Sequence, residues 1–122
     1  MNVKLRTLYD AAIAGMECGS MSSFVVESGS WEAGWRGADA GKRNAFGGVV
    51  IVDRYAADER EEDPSSPEPV RGHLTDAALR RGLQVLADKY PRIAGAIVSE
   101  DSDAASGDAL LQCAILGDVI YG

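Results

Sequence analysis

Histidine occurs once in this chain of 122 residues, and cysteine only twice. With His73 as the sole imidazole and no Cys/His cluster in the sequence, a zinc site is not expected. Cys18 and Cys113 form no CxxC pair and read as two apolar thiols kept reduced. No apolar run approaches the roughly 18–20 residues that crossing a bilayer demands. The opening MNVKLRTLYD carries charges every few residues where a secretory leader would have an apolar stretch. Those features predict a cytoplasmic protein with no membrane partner. Also missing are the phosphate-cradling GxxxxGK[ST] loop, the HExxH metal pair and the GxSxG nucleophile elbow. Bases are in deficit, 12 against 19 acids, for a net charge of −7. Such a surface repels nucleic-acid phosphates except along the mildly basic helix within residues 69–98, and no direct nucleic-acid partner is expected.

What is present is an ordinary globular balance, 46% apolar and 25% charged, in a length that suits one domain over 1–122. Residues 3–17 place Leu5, Leu8, Tyr9, Ala12, Ile13 and Met16 on one helical stripe. Ser23–Ser28 (SFVVES) and Gly48–Tyr55 (GVVIVDRY) read as strands, and Val70–His73 as a short edge strand. Six glycines between Gly29 and Gly48 predict an irregular, mobile connection over 29–47. A second flexible stretch is expected over 57–69, where five acids precede three prolines. Leu74–Tyr90 is bounded by an N-capping Thr75 and by Pro91, with a further helical turn or two at Ile93–Val98. From Ser102 or Asp103 to about Leu116 runs a nearly all-apolar helix, the shape of a central helix wrapped by the rest. The expected fold is α+β: a three-stranded antiparallel sheet with three helices, in the order αβββαα.

Charge divides the chain into blocks. Residues 53–68 sum to −5, residues 69–98 to +3 and residues 99–122 to −5. Glu59, Glu61, Glu62 and Asp63 belong to the first acidic block, and Glu100, Asp101 and Asp103 to the second. Around a helix N-terminus, acids serve as caps and complement the dipole without any ligand. The alternative for Glu100, Asp101, Asp103 and Asp108 is a divalent cation held by hard oxygens, with His73 as a base for metal-dependent hydrolysis. The spacing matches no EF-hand loop, and the expectation is no metal, no cofactor and no catalytic residue. Trp31 and Trp35, in SGSWEAGWRG, are the sharper clue. They fold back as a lid over the sheet or, with Arg36, stand exposed as anchors for a partner. Lys42 and Arg43 in the same segment suit an acidic partner.

Residues 74–122 carry a distinctive pattern: LTDAALRRGL, then KYP, then DALLQCAILGDVIYG. On these motifs the chain resembles a family of small, uncharacterised phage and prophage accessory proteins. The resemblance brings no catalytic residues with it. It implies a phage protein that binds host machinery in the host cytoplasm, as an anti-CRISPR or other anti-defence factor does. The expected activity is non-enzymatic: blockade or modulation of a host protein or nucleoprotein complex by a monomer or homodimer. The acidic residues would mimic phosphate and the tryptophans would anchor. The other expectation is a homo-oligomeric structural or packaging accessory, pairing through the edge at Val70–His73.

Overall fold

The computed structural model describes residues 3–122, apart from the side chain of Ser20. The elements are α1 (Leu5–Met16), β1 (Phe24–Ser28), α2 (Trp31–Asp39), β2 (Val50–Asp53), α3 (Arg54–Glu62), β3 (Arg71–His73), α4 (Asp76–Lys89), α5 (Pro91–Val98) and α6 (Ala104–Leu116), with a 3-10 turn at Gly19–Met21. The class is α+β with a three-stranded antiparallel sheet, β1-β2-β3. The expectation of three helices in the order αβββαα is corrected to six α-helices among the described residues.

The three additional helices have separate causes. In the glycine-rich segment 29–47, Ser30 accepts a hydrogen bond from the Ala33 N–H at 3.1 Å and nucleates α2, with Glu32 in the first turn and Arg36 in the last. That segment is therefore helical over nearly half its length, not an irregular connection. The expected strand Gly48–Tyr55 stops at Asp53. The Asp53 carboxylate accepts from the Tyr55 N–H at 3.0 Å and the Ala56 N–H at 3.2 Å, and so turns the chain into α3. The acids Asp58–Glu62 continue that helix, and the irregular stretch begins only at Asp63. The Arg60 guanidinium ties it down, donating to the Ser66 carbonyl at 2.6 Å and pairing with Glu68 at 3.0 Å. Pro91 occupies the first turn of α5, where its missing N–H costs nothing. The cap of α6 is Asp103, not Ser102, accepting from the Ser106 N–H at 2.8 Å.

The apolar core is organised around α6, which packs on α1, α4 and α5. Every residue from Ala109 to Ala114 is buried. Two close crossings need glycine. A Cβ on Gly107 would lie 2.1 Å from the Ala11 carbonyl oxygen, and one on Gly82 would lie 2.8 Å from the Leu110 carbonyl oxygen. Glycine at these points brings the backbones of α1 and α4 against α6. The sheet meets the same helix through Gly72, over which Ile115 lies. Ile51 of β2 is fully buried, and on the sheet's margin Arg71 of β3 reaches Glu27 of β1 at 2.9 Å, spanning the central strand.

Among the described residues, every buried side-chain polar atom has a hydrogen-bond partner. Gln112, only 1% exposed, accepts from the Ile120 and Tyr121 N–H groups at 2.7 and 2.8 Å and donates to the Tyr121 carbonyl at 3.1 Å. Its amide also donates to Asp108 at 3.0 Å, and Asp108 accepts from the Ser23 N–H and hydroxyl at 2.8 and 2.6 Å. Tyr121 completes the circuit by donating its hydroxyl to Asp53 at 2.6 Å, with its ring 4.5 Å from that of Tyr55. The segment after α6 thus folds back onto the core. Burial, reinforced by the Asp53 carboxylate, pushes the Tyr121 hydroxyl up to about 12.

Candidate functional site on helix α2

On α2, Trp31, Trp35 and Asp39 recur every fourth residue and so share a face. The two indoles have different roles. Trp31 is half-buried, with its ring 4.7 Å from that of Phe46. Phe46 is itself fully buried and meets Tyr9 edge-on at 5.4 Å. Gly34 makes this seat possible, since a Cβ there would fall 2.2 Å from the Phe46 ring. Trp35 is 40% exposed. Trp31 thus folds back onto Phe46 of the loop after α2, and Trp35 stands exposed outside that contact.

The loop that carries Phe46 is held at its base. Asn44, in the left-handed region at φ 49°, donates its N–H to Asp76 at 2.8 Å and accepts from the Asp76 N–H at 2.9 Å. The same Asp76 carboxylate accepts the Tyr9 hydroxyl proton. Burial and that carboxylate push Tyr9 up to about 12. Helix α2 and its following loop are therefore clamped to α1 and α4 beneath a face that presents Trp35.

Trp31 and Trp35 line an open groove of about 460 Å³ together with Glu17, Glu32, Arg36 and Asp39. Beyond Arg36 lies a separate hollow of about 370 Å³, bordered by Arg36, Lys42 and Arg43. A third hollow, of about 340 Å³, opens between α5, α6 and the final residues, with Met21, Ile93 and Val119 on its walls. The polar groups at its base, Asp108 and Gln112, are already engaged with Ser23 and Tyr121.

The acidic candidates lie apart from this face. Glu59, Glu61 and Glu62 are exposed on α3, and Asp63 ends that helix. Ser65 donates its hydroxyl and N–H to Asp63 and holds its carboxyl below the usual range. Glu100, at φ 62°, accepts the Thr7 hydroxyl at 3.0 Å and ties the α5–α6 turn to α1. Asp101 is exposed beside it. The Ser106 N–H holds the Asp103 carboxyl low, as expected for a capping group. His73 Nδ1 lies 2.9 Å from the Gly47 carbonyl. Among the described residues, no three His, Cys, Asp or Glu side chains are grouped so as to hold a metal ion. No described helix is long and apolar enough to cross a membrane. Cys18 and Cys113 are both free thiols, and burial pushes both upward, Cys113 to about 11, which leaves them poor nucleophiles at neutral pH.

Glu17, Glu32 and Asp39 are the groove residues that sequence reasoning did not single out. The periodicity carried a signal for two of them, because Glu32 and Asp39 fall on the same helix as the tryptophans. Glu17 joins only through the approach of the end of α1. Neither protein-family models, curated proteins nor solved structures gave a match to this chain.

Proposed function

We propose that the protein is a non-enzymatic binding module that docks on a partner protein through the exposed face of α2. The observation that carries this reading is Trp35, a 40% exposed indole on a helix fixed from beneath by the Trp31–Phe46 contact. A large, rigid aromatic presented on a preorganised surface loses little entropy on binding, and such residues dominate interface energetics. Arg36 beside it, with a side chain 73% exposed, adds a planar donor of the kind enriched at interfaces.

The resemblance of residues 74–122 to phage accessory proteins supports a biological setting for that docking. In this reading the chain works in the host cytoplasm and blocks or modulates a host protein or nucleoprotein complex, in the manner of an anti-CRISPR or other anti-defence factor. It acts stoichiometrically, as a monomer or homodimer. The exposed acids Glu59, Glu61, Glu62 and Asp63 provide a second, phosphate-like surface toward a basic channel. Glu100 and Asp103 already have structural partners in Thr7 and Ser106, and Asp101 stands next to them, so α2 carries the proposal.

The test is site-specific photocrosslinking in bacterial cells, with a photoreactive phenylalanine analogue at position 35 and, as a control, at the exposed Val98 on α5. One protein captured from position 35 and not from 98, and lost from Trp35→Ala in a parallel affinity capture, supports the reading. Equal capture by wild type and Trp35→Ala overturns it.

A further inference from the structure

The groove holding Trp35 is unevenly charged. Among the described residues, three carboxylates line it, Glu17 from the end of α1 and Glu32 and Asp39 from α2, against one cation, Arg36. Their neutralisation within the chain is incomplete. Asp39 is paired with Arg6 at 2.8 Å. Glu32 meets Arg36 only at 4.0 Å, with side chains 90% and 73% exposed, a separation at which solvent screens most of the attraction. Glu17 is exposed and enters no ion pair among the described residues.

An indole face flanked by unneutralised carboxylates has one preferred kind of guest. The ring quadrupole attracts a cation over its face, and tryptophan does so best of the aromatic side chains. A guanidinium is flat enough to stack on the indole while its edge donates to carboxylates, which a compact ammonium cannot do as well. An apolar guest would take Glu17 and Glu32 out of water with nothing in exchange. An anionic guest would be repelled by the same groups. Arg36, Lys42 and Arg43 border the adjoining hollow, so a cation is confined to the tryptophan side of Arg36.

We infer that the groove formed by Trp31, Trp35, Glu17 and Glu32 receives an arginine side chain of the partner protein. This rests on the docking face proposed above and names the chemistry it recognises.

The probe is a capped Gly-Arg-Gly peptide, compared with the same peptide carrying citrulline, which keeps the shape and planarity and removes the charge. The readout is the two indole N–H resonances of the 15N-labelled protein. The arginine peptide shifts the Trp35 resonance saturably below about 20 mM, a range expected for one small group. Citrulline binds about fivefold more weakly, and the Glu17→Gln/Glu32→Gln variant weakens the arginine peptide by a similar factor. Both carboxylates are on the surface, so the variant retains the fold, which the dispersion of its remaining resonances reports. Equal affinity for arginine and citrulline, an unchanged affinity in the double variant, or no Trp35 shift at all overturns the inference. Failure here with a specific crosslink at position 35 removes only the arginine assignment. Loss of that crosslink removes the docking face itself.

Discussion

Asn44 and Asp76 hold each other by two reciprocal hydrogen bonds, each running from one residue's backbone N–H to the other's side-chain oxygen, at 2.8 and 2.9 Å. The pair joins the loop after α2 to the first turn of α4, and the Tyr9 hydroxyl lies within the same knot. Asp76→Ala removes the acceptor for two donors and a favourable charge from a helix N-terminus. The expected loss of stability is about 2–3 kcal/mol, since Tyr9 is left with a stranded hydroxyl proton. Urea denaturation followed by tryptophan fluorescence measures it, and a loss well under about 1 kcal/mol would show that water replaces the knot.

The glycines of α2 separate by what lies above them. An added Cβ at position 34 meets the Phe46 ring at 2.2 Å, whereas at position 37 it meets Ala45 at 3.4 Å. Gly34→Ala is expected to cost about 1–3 kcal/mol by overpacking and to change the near-ultraviolet signal of Trp31. Gly37→Ala is expected to be neutral or to gain about 0.5 kcal/mol through helix propensity. Thermal unfolding of both variants side by side checks the sign as well as the size.

Gln112→Leu keeps the bulk of the side chain and deletes the acceptor for the Ile120 and Tyr121 N–H groups. Those amides then exchange with solvent far faster than in the wild type, while the amides of α4 keep their protection. The accompanying destabilisation is about 1–3 kcal/mol, as for a buried amide whose partners are left unsatisfied. Hydrogen exchange by mass spectrometry separates the local effect from a global one. Equal acceleration in α4 would mean that the segment after α6 has no independent opening.

Lys89 and Tyr90 both donate to Asp118 and, with the Val119 N–H, hold its carboxyl down to about 2, against an ordinary value of 3.8. A lowered folded-state value means that the folded form favours the carboxylate. Its contribution is complete above about pH 4 and disappears as the pH falls toward 2. Asp118→Asn should therefore be less stable than the wild type at neutral pH and converge with it near pH 2. Denaturation curves across that interval test the pattern; a constant gap between the two proteins would refute it.

The helices α1, α4 and α6 and the three strands were legible because each carries its own signal. Leu8 and Ala12 repeat at helical spacing, Thr75 caps α4, and Val50–Val52 form a short β-branched run. Helix α2 was hidden by glycines, which read as chain breaks but which, at Gly34, admit a neighbouring ring. Its start was nevertheless written in Ser30 and Glu32, and in two tryptophans four residues apart. Helix α3 has no buried residue and hence no apolar stripe to detect. It is fixed by the Asp53 cap and by Arg60, contacts that depend on where the chain goes next. The candidate site was half legible for the same reason. Trp31, Trp35 and Arg36 stand out by type and spacing, while Glu17 reaches the groove only through the packing of α1 beside α2.

The close seating of α6 between α1 and α4 has a consequence for the order of assembly. During synthesis, α1 and α4 leave the ribosome before the helix that both require, and each carries a glycine, Gly15 and Gly82, whose missing Cβ leaves room for a backbone that does not yet exist. Neither can settle early, so the core closes as one late event when α6 arrives and brings distant stretches of chain together. Until then the apolar faces of α1 and α4 lack the helix that covers them, the condition in which a partly folded chain is prone to aggregate.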